Sequence, residues 1–410
     1  MELKAAAMKI IDNAIRSAIP GAAVQRALEG RQLPEKITLV AIGKAGWAMA
    51  KAAHDLLGSR IGKGIVITKY DHVMHPLDGI TMWEAGHPVP DQNSYRATRE
   101  AIDMVSGLTE DDLVLFLISG GGSALFENPL IPEDQMEDVT RQLLACGAEI
   151  TEINTIRKRL SMVKGGKFAQ ICAPAKVLSI VLSDIIGDPL DMIASGPAYP
   201  DSATTEDALT IVKKYDLKLS EKAMEALKKP TPKALHNVET VVTGSVTQLC
   251  MSAAQTCREL EIEPRILTAS LSCTARDAGS FLASIAQYHA GTNHSVAYIL
   301  GGETVVKLTG KGKGGRNQEL ALAAAEGIAG MENVAVFSVG SDGTDGPTDA
   351  AGGYVDGSTR GLLLAQGIRI PEVLQNNDAY HALQKAHGLI ITGPTGTNVN
   401  DLIVLLLGGD

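Results

Sequence analysis

Short apolar runs alternate with longer amphipathic stretches along most of this 410-residue chain. The runs ITLVAI (37–42), LVLFLIS (113–119) and KVLSIVLS (176–183) carry almost no charge, and stretches with helical spacing lie between them. Apolar strands that alternate with helices are typical of a parallel sheet covered on both faces. The alternation therefore predicts an α/β fold, in which ligands bind at the carboxyl ends of the strands.

The same pattern begins again after the segment ALKKPTPKALHN (226–237). Its two prolines, flanked by lysines, are typical of a linker. Further strands are expected over 239–243, 265–268, 296–300, 304–308, 334–339 and 402–407, with helices between them. We therefore predict two α/β domains, residues 1–231 and 232–410, with a ligand at strand ends or in the cleft between the domains.

Charge and cysteine content exclude several classes of protein. The net charge of −10 disfavours nucleic-acid binding, so a site for an anion must be a local basic island. No apolar run is long enough to span a membrane, and residues 1–21 resemble an amphipathic helix rather than a signal peptide. Five cysteines without a C-x-x-C pair disfavour a disulfide framework or a zinc site. We expect a cytoplasmic protein with reduced thiols.

Two glycine-rich segments follow apolar strands in the first half. Gly43-Lys44-Ala45-Gly46 follows ITLVAI, and its backbone amides and the Lys44 ammonium would face a ligand there. The alternative is a tight turn with a solvated lysine. The segment after LVLFLI favours an anion nest, with a flexible loop as the lesser alternative. Its residues are Ser119, Gly120, Gly121, Gly122 and Ser123.

A third glycine-rich segment, GKGKGGRN (310–317), is strongly basic. It nearly matches a dinucleotide fingerprint, but no acidic ribose partner follows at the required distance in a clear βαβ unit. It also nearly matches a P-loop, but Arg316 and Asn317 replace the lysine and the hydroxyl residue. A basic island in an acidic protein favours a polyphosphate ligand, with a solvated hairpin loop as the alternative.

Carboxylates are concentrated in a fourth loop, SDGTDGPTD (341–349). The residues Asp342, Asp345 and Asp349 suit catalytic Mg²⁺, or they stabilise polar turns. Glu303 follows another strand, where it could hold a metal-bound water or orient Arg316. Asp184 ends the strand KVLSIVLS, a usual place for a catalytic carboxylate.

Two further segments carry candidate residues. NTIRKR (154–159) with KGGK (164–167) is a second cationic cluster. On a helix, Arg157, Lys158 and Lys164 cannot all face one way, so some are expected to be solvated. His87, in the rigid loop GHPVP, could meet a substrate carboxylate, although a lone loop histidine is more often structural. The hydrolase motif G-x-S-x-G is absent, and glycine nests with cations and carboxylates favour phosphoryl transfer.

Seven segments in order resemble the glycerate 2-kinase family, some members of which were formerly labelled hydroxypyruvate reductases. They are GKAGWAMA, GHPVPD, LISGGGSALFENP, NTIRKRLSMVKGGKFA, VLSDIIGDPLDMIASGP, GGETVVKLTGKGKGGRNQELAL and SVGSDGTDGPTDAAGGYVD. The resemblance implies a larger Rossmann-like N-terminal domain and a smaller C-terminal domain with a mixed sheet. It implies transfer of the ATP γ-phosphoryl group to the 2-hydroxyl of D-glycerate, with Mg²⁺. The loop IIGDPL (185–190) is less polar than in the family.

The resemblance also implies roles for residues. Lys44 and Arg316 would be the principal catalytic cations, one from each domain, and Ser119–Ser123 would bind phosphate or the glycerate carboxylate. By its position, Asp184 is the candidate base or metal ligand. The expected nucleotide-binding residues of the basic loop are Lys311, Lys313, Gly314, Gly315 and Asn317, and the expected Mg²⁺ group is Asp342, Asp345, Asp349 and Glu303.

Two other functions stay open from the sequence. An NAD-dependent hydroxypyruvate reductase needs a ribose-binding acid and a hydride-transfer pair, and neither stands out. A non-catalytic sensor of a nucleotide or hydroxy acid needs fewer glycine loops and carboxylates than this chain has. The expected partners are glycerate and ATP, without nucleic acid or membrane, in a monomer or homodimer.

Overall fold

The computed structural model describes residues 2–291 and 294–409. Their contacts form two compact units. We call Ala23–Ser183 and Asp188–Thr243 the parallel-sheet unit. The mixed-sheet unit comprises the residues up to Ala22, Asp184–Gly187, and the residues from Gly244 onward.

The parallel-sheet unit alternates strands and helices, as predicted. Its strands are β1 (Ile37–Ile42), β2 (Ile61–Lys69), β3 (Ile80–Ala85), β4 (Leu113–Ile118), β5 (Lys176–Leu182) and β6 (Val238–Gly244). The helices, numbered after α1 (Leu3–Ala18) and α2 (Pro20–Leu28), are α3 (Gly46–Leu57), α4 (Gln92–Val105), α5 (Gly122–Leu125), α6 (Glu133–Ala145), α7 (Ile150–Leu160), α8 (Lys167–Cys172), α9 (Thr205–Lys214) and α10 (Glu221–Lys228).

The six strands of this unit form one sheet, in the order β3-β2-β1-β4-β5-β6. The neighbours from β3 to β5 pair in parallel. The central strands β1 and β4 are buried along their whole length, because every position facing either helix layer is apolar or small. The predicted α/β class is therefore confirmed.

The mixed-sheet unit contains a second six-stranded sheet, in the order β11-β10-β9-β12-β8-β7. Only β7 and β8 pair in parallel, among the pairings of the described residues. Its strands are β7 (Glu263–Leu271), β8 (Val296–Gly302), β9 (Val334–Gly340), β10 (Gly352–Asp356), β11 (Leu389–Ile390) and β12 (Asp401–Leu407). Its further helices are α11 (Val246–Glu259), α12 (Ala275–Tyr288), α13 (Arg316–Gly327), α14 (Thr359–Leu364), α15 (Ile370–Gln375) and α16 (Ala379–Lys385).

The strand predicted over 304–308 is wrong. Only Val305 pairs there, in a single bridge to Thr274. The backbone instead enters the loop that precedes α13, where Leu308 is exposed. Apolar residues in this segment contribute little to the core, so the apolar pattern here indicated a strand that the fold does not use.

The first helix packs in the mixed-sheet unit. Its apolar residues recur at helical spacing and include Ile10, Ile11 and Ile15, all buried. The Asn13 amide donates to the Thr256 hydroxyl of α11 at 3.2 Å, and the Ser252 hydroxyl donates to the Asn13 carbonyl at 3.3 Å. An amphipathic pattern predicts that a helix buries one face, but not which element covers it. Of the helices described, none is long and apolar enough to cross a membrane.

The segment predicted to be a linker is held inside the parallel-sheet unit. The Thr231 hydroxyl donates to Asp201 at 2.8 Å, and the Lys233 ammonium donates to the carbonyls of Asp201 and Ala203. In this part of the chain the division between the two compact units falls between Thr243 and Gly244. The domain boundary after residue 231 stays a prediction.

Candidate active site

The order of the parallel sheet reverses between β1 and β4, whose last residues Ile42 and Ile118 are paired neighbours. In an open α/β sheet, the carboxyl ends of the strands on either side of such a reversal form a crevice that binds ligands. The loops Gly43–Gly46 and Ser119–Gly122 both begin at this point. Two segments predicted separately from the sequence therefore lie side by side at this candidate site.

Gly43 brings the two loops into contact. Its φ of 102° is in the left-handed region, and a Cβ at this position would overlap the carbonyl oxygen of Ser119. The Lys44 amide donates to the Gly120 carbonyl at 2.8 Å, and the Gly43 amide donates to Ile67 of β2 at 3.1 Å. The loop after β1 is thus fixed on both sides, while the Lys44 side chain is exposed.

Ser119 supports these loops from the core side. Its side chain is buried, donates to the Ile42 carbonyl at 3.0 Å and accepts from the Ala45 amide at 3.0 Å. The single hydroxyl proton of Ser119 is therefore used within the protein. Its observed contacts give it a structural role in the nest, distinct from the ligand contact that the sequence predicts.

Lys44 and His87 meet beside Gly121. Gly121 has a φ of 85°, and a Cβ there would lie 3.0 Å from His87 Cδ2 and 3.2 Å from Lys44 Cγ. A side chain at residue 121 would therefore fill the space between the imidazole and the lysine stem. The geometry suits the close approach of an anionic ligand to bare backbone, and it joins the loop after β3 to the loops after β1 and β4.

A chain of hydrogen bonds leads away from Ser123. Its hydroxyl lies 2.9 Å from the Ser195 hydroxyl, which donates to Asn154 Oδ1 at 3.0 Å. The Ser123 carbonyl accepts from Arg157 at 3.2 Å and from Lys164 at 2.9 Å. The backbone at residue 123 is therefore fixed from below, and its hydroxyl is linked to two buried polar side chains.

Lys158 and Lys164 of the second cationic cluster are buried, so the prediction that part of this cluster is solvated is wrong for these two residues. Lys158 pairs with Asp201 at 3.2 Å, and Lys164 Nζ lies 3.2 Å from the Glu127 carboxylate. Burial lowers the pKa of Lys164 to about 8, against the opposing attraction of Glu127. Lys158 and Lys164 point in different directions, but each of them contacts a buried carboxylate.

In the mixed-sheet unit, Arg316 begins α13 and is held by two carboxylates. Its Nε donates to Asp401 Oδ2 at 2.6 Å and its NH2 to Asp401 Oδ1 at 3.1 Å, while NH1 donates to Glu303 at 2.7 Å. Burial alone would lower the pKa of Arg316, but the bonds and charge of Asp401 raise it above its ordinary value. Burial raises the pKa of Asp401, and the bonds from Arg316 oppose that rise.

Asp345 caps α13. Its Oδ1 accepts from the Asn317 amide at 3.1 Å and its Oδ2 from the Gln318 amide at 2.9 Å. Burial raises the pKa of Asp345 to about 6, although these backbone bonds oppose the rise. A Cβ at Gly315 would overlap the Asp345 carboxylate, which explains a glycine immediately before the helix.

The other predicted Mg²⁺ ligands also have partners. Asp342 accepts from the Thr344 amide at 2.9 Å, Asp349 accepts from the Tyr380 hydroxyl at 2.7 Å, and Glu303 binds Arg316. Across residues 2–291 and 294–409, no group of three or more His, Cys, Asp or Glu side chains is arranged to hold a metal ion. The four predicted ligands do not fit one Mg²⁺ site.

The basic loop is braced by the segment Asn376–Asp378. Four backbone amides of the basic loop donate to this segment. The Gly310 amide donates to Asn377 Oδ1 at 2.9 Å and the Lys311 amide to Asn376 Oδ1 at 3.2 Å. The Gly312 amide donates to the Asn376 carbonyl at 2.8 Å and the Lys313 amide to Asp378 Oδ1 at 2.9 Å. The Lys313 ammonium lies 4.2 Å from the centre of the Tyr380 ring. These four amides are engaged within the protein, so the loop offers a ligand its side-chain charge rather than an open amide nest.

Known proteins closely match this architecture. Residues 6–228 match the domain of unknown function DUF4147, and residues 296–401 match the MOFRL family. The chain is 51% identical to D-glycerate 2-kinase of Thermotoga maritima, over 99% of this chain and 98% of that protein. It is 39% identical to glycerate 2-kinase of Pyrococcus horikoshii, over 99% and 98%. A crystal structure of glycerate kinase from Thermotoga maritima superposes with a TM-score of 0.93, at 50% identity over 99% of both chains.

The chain belongs to the glycerate 2-kinase family. Its two sheets match those of the glycerate kinase structure. The resemblance of seven ordered motifs to this family is therefore confirmed.

Among the family's candidate residues, Asp184 lies two residues beyond β5, in the short stretch that groups with the mixed-sheet unit. Its carbonyl accepts from the Asn400 side-chain amide at 3.4 Å. Sequence reasoning assigned no role to Asp401 or Ser195. Asp401 precedes the apolar run LIVLLL, and Ser195 precedes a glycine in a buried turn, where its φ is 61°. In the sequence, the Gly-Pro pair directly after Ser195 is the only local feature that marks this turn.

Proposed function

We propose that this glycerate 2-kinase family member transfers the γ-phosphoryl group of ATP to the 2-hydroxyl of D-glycerate, which yields 2-phosphoglycerate and ADP. Relatives that match over nearly the full length carry the names glycerate 2-kinase and D-glycerate 2-kinase. The observation in this chain that carries the proposal is the meeting of Lys44 and His87 beside Gly121, at the reversal of the parallel sheet. A cation beside bare backbone is a site for a phosphate or a carboxylate.

In the proposed reaction, Lys44 neutralises charge on the transferred phosphoryl group, and Arg316 does the same from a separate carboxylate-held position. Phosphoryl transfer needs positioning and charge neutralisation more than covalent chemistry, so two fixed cations are the main requirement. Three hydrogen bonds hold the backbone around Lys44. The carbonyls of Gly120 and Ile67 accept from the amides of residues 44 and 43, and the Ser119 hydroxyl accepts from the amide of residue 45. We assign Asp184 as the group that receives the proton of the 2-hydroxyl.

The amides of Gly120, Gly121 and Gly122 are proposed to bind phosphate or the glycerate carboxylate. Lys311 and Lys313 would add positive charge for the nucleotide, and the backbone at Gly314, Gly315 and Asn317 supports that loop. Mg²⁺ neutralises phosphate charge when it accompanies ATP. We assign no step to Asp342, Asp345, Asp349 or Glu303 as its ligands, because the described residues do not gather three such side chains around one point. An ATP-dependent activity and free cysteines favour a cytoplasmic location.

A ³¹P spectrum of the product from ATP, Mg²⁺ and D-glycerate tests the activity directly. We expect a doublet for a phosphate on a secondary carbon, as in 2-phosphoglycerate; a phosphate on C3 would change the coupling to a triplet. A parallel assay with hydroxypyruvate and NADH tests the reductase alternative, for which loss of NADH absorbance without release of ADP would be decisive. Binding of ATP with no turnover of any hydroxy acid would favour the sensor.

A further inference from the structure

We propose that the Ser123 hydroxyl accepts a hydrogen bond from the 3-hydroxyl of D-glycerate, and so selects substrates that carry a donor at C3. The inference rests on the proposed phosphorylation of the 2-hydroxyl. It replaces the anion-binding role that the sequence predicts for the Ser123 side chain. The direction of the hydroxyl protons along the hydrogen-bond chain Ser123–Ser195–Asn154 decides what Ser123 can bind.

The far end of this chain is fixed at Asn154. The two ends of an amide are a donor and an acceptor, and neighbouring groups decide which way it faces. Asn154 Nδ2 faces the Met192 thioether at 3.6 Å, and Oδ1 faces the Ser195 hydroxyl at 3.0 Å. A thioether sulfur can accept but cannot donate, so the N–H side of the amide belongs toward Met192. Ser195 therefore meets an oxygen.

Ser195, in the middle of this hydrogen-bond chain, has only one hydroxyl proton to donate. Ser195 is fully buried, and Asn154 is nearly so. If Ser195 gave its proton to Ser123, Asn154 Oδ1 would lose the hydrogen bond that it accepts from Ser195, which is unfavourable for a buried acceptor. Ser195 therefore donates to Asn154, and the 2.9 Å bond to Ser123 must be donated by Ser123.

The backbone holds this arrangement in place. Ala194 and Ser195 both have left-handed φ values, 51° and 61°, which are unfavourable for residues with side chains. Ala194 packs against Gly122, where a Cβ would lie 2.6 Å from the Ala194 Cβ. The strained turn is thus seated against the residue next to Ser123, which keeps the two hydroxyls at hydrogen-bond distance.

Ser123 consequently offers a ligand lone pairs and no proton. Residue 123 is partly exposed. An acceptor repels a carboxylate or phosphate oxygen and attracts a hydroxyl, whereas Lys44 and the glycine amides nearby have the opposite preference. The site therefore separates the anionic end of a hydroxy acid from a hydroxyl end.

The same chain identifies which hydroxyl is bound. The reacting 2-hydroxyl must lose its proton as the new P–O bond forms. A proton passed into Ser123 would travel through Ser195 to Asn154, and an amide oxygen is too weak a base to keep it. The chain is therefore suited to binding rather than to proton removal, and the hydroxyl that it receives is the one that stays protonated.

The test compares D-glycerate with D-lactate, which has a methyl group in place of the 3-hydroxyl. In Ser123→Ala we expect kcat/KM for D-glycerate to fall about 10-fold or more, while kcat/KM for D-lactate stays unchanged. Calorimetric titration with each acid should show the same difference in affinity. Ser284→Ala, on an exposed face of α12, is the matched control and should alter neither value.

Ser195→Ala gives an independent test, because it frees the Ser123 proton for a ligand. We expect this variant to gain affinity for tartronate, whose C3 carboxylate can only accept. The gain should exceed that of Ser123→Ala, which removes the repelling acceptor without supplying a proton. An equal loss for D-glycerate and D-lactate in Ser123→Ala, or no gain for tartronate in Ser195→Ala, would overturn the inference. Failure of the wild-type enzyme to phosphorylate D-glycerate would instead reject the proposed function.

Discussion

Two hydrogen bonds join Arg316 to Asp401, from Nε to Oδ2 at 2.6 Å and from NH2 to Oδ1 at 3.1 Å. Asp401 is 1% exposed and Arg316 about one-third exposed, so the carboxylate is buried beneath the guanidinium. Such a two-point contact fixes the plane of the guanidinium as well as its position. Asp401 is therefore a positioning residue for Arg316.

Asp401→Asn should lower kcat about 10- to 100-fold while KM for D-glycerate changes little, because the guanidinium loses one fixed charge partner. Steady-state kinetics with varied ATP and D-glycerate will measure both constants. Glu303→Gln is the control, since Glu303 is about half exposed and an exposed ion pair contributes little. Equal effects of the two substitutions, or normal turnover in folded Asp401→Asn, would contradict the positioning role.

Lys44→Met should lower kcat about 100-fold or more, because it removes a positive charge while it preserves most of the aliphatic stem. Lys36→Met is the matched control, since Lys36 is also exposed in the parallel-sheet unit and precedes β1 rather than following it. Turnover with ATP and D-glycerate is the measurement. Retention of most activity by Lys44→Met would remove Lys44 from the reaction.

The sequence predicts the strands that contain a nearly continuous apolar run, and it predicts fewer of the other strands. Strands β1, β4 and β12 are buried along their whole length, and their patterns identify them. Strand β3 was not predicted, because Thr81 is exposed and Met82, Trp83 and Glu84 are only partly buried. A strand with mixed exposure has no continuous apolar run to detect.

The sequence likewise predicts some features of the candidate site, and only the fold shows the others. Glycines directly after apolar strands identify the loops of Lys44 and Gly121, but only the pairing of β1 with β4 places them together. Asp401 gives no local signal, since its contact with Arg316 is made across 85 residues. Lys158 and Lys164 have the residue types of solvated charges, and only the fold supplies the buried carboxylates that pair with them.

Gly121→Ala should reduce activity through contact rather than through backbone strain. A left-handed φ costs an alanine about 1–2 kcal/mol. At Gly121 the new methyl would also press on His87 and Lys44. Gly107→Ala is a matched control, since Gly107 has a φ of 82° and nothing within 4 Å of its Cβ position. We expect similar losses of thermal stability, with a loss of kcat/KM only in Gly121→Ala. Normal activity in that variant would exclude a tight site around residue 121.

Asp345 should make stability depend on pH between about 4 and 6. Burial, the largest influence, raises the pKa of Asp345 from 3.8 to about 6 in the folded protein. The folded state therefore binds the proton more tightly than the unfolded state, and this stabilisation is complete below pH 3.8 and lost as pH rises through 6. The free energy of unfolding of the wild type, relative to Asp345→Asn, should fall by roughly 3 kcal/mol over that interval, since each pKa unit corresponds to about 1.4 kcal/mol.

Urea unfolding of both proteins at a series of pH values measures this difference. The substitution also carries a pH-independent loss of about 0.5–2 kcal/mol, because an amide nitrogen replaces one of the two oxygens that accept from Asn317 and Gln318. Asp345→Asn should therefore be less stable than the wild type at low pH and more stable above pH 6. That constant loss cancels in the slope, which isolates the titration of residue 345. Parallel pH profiles for the two proteins would mean that Asp345 stays charged in the folded state, and the cap would then act as a carboxylate throughout this range.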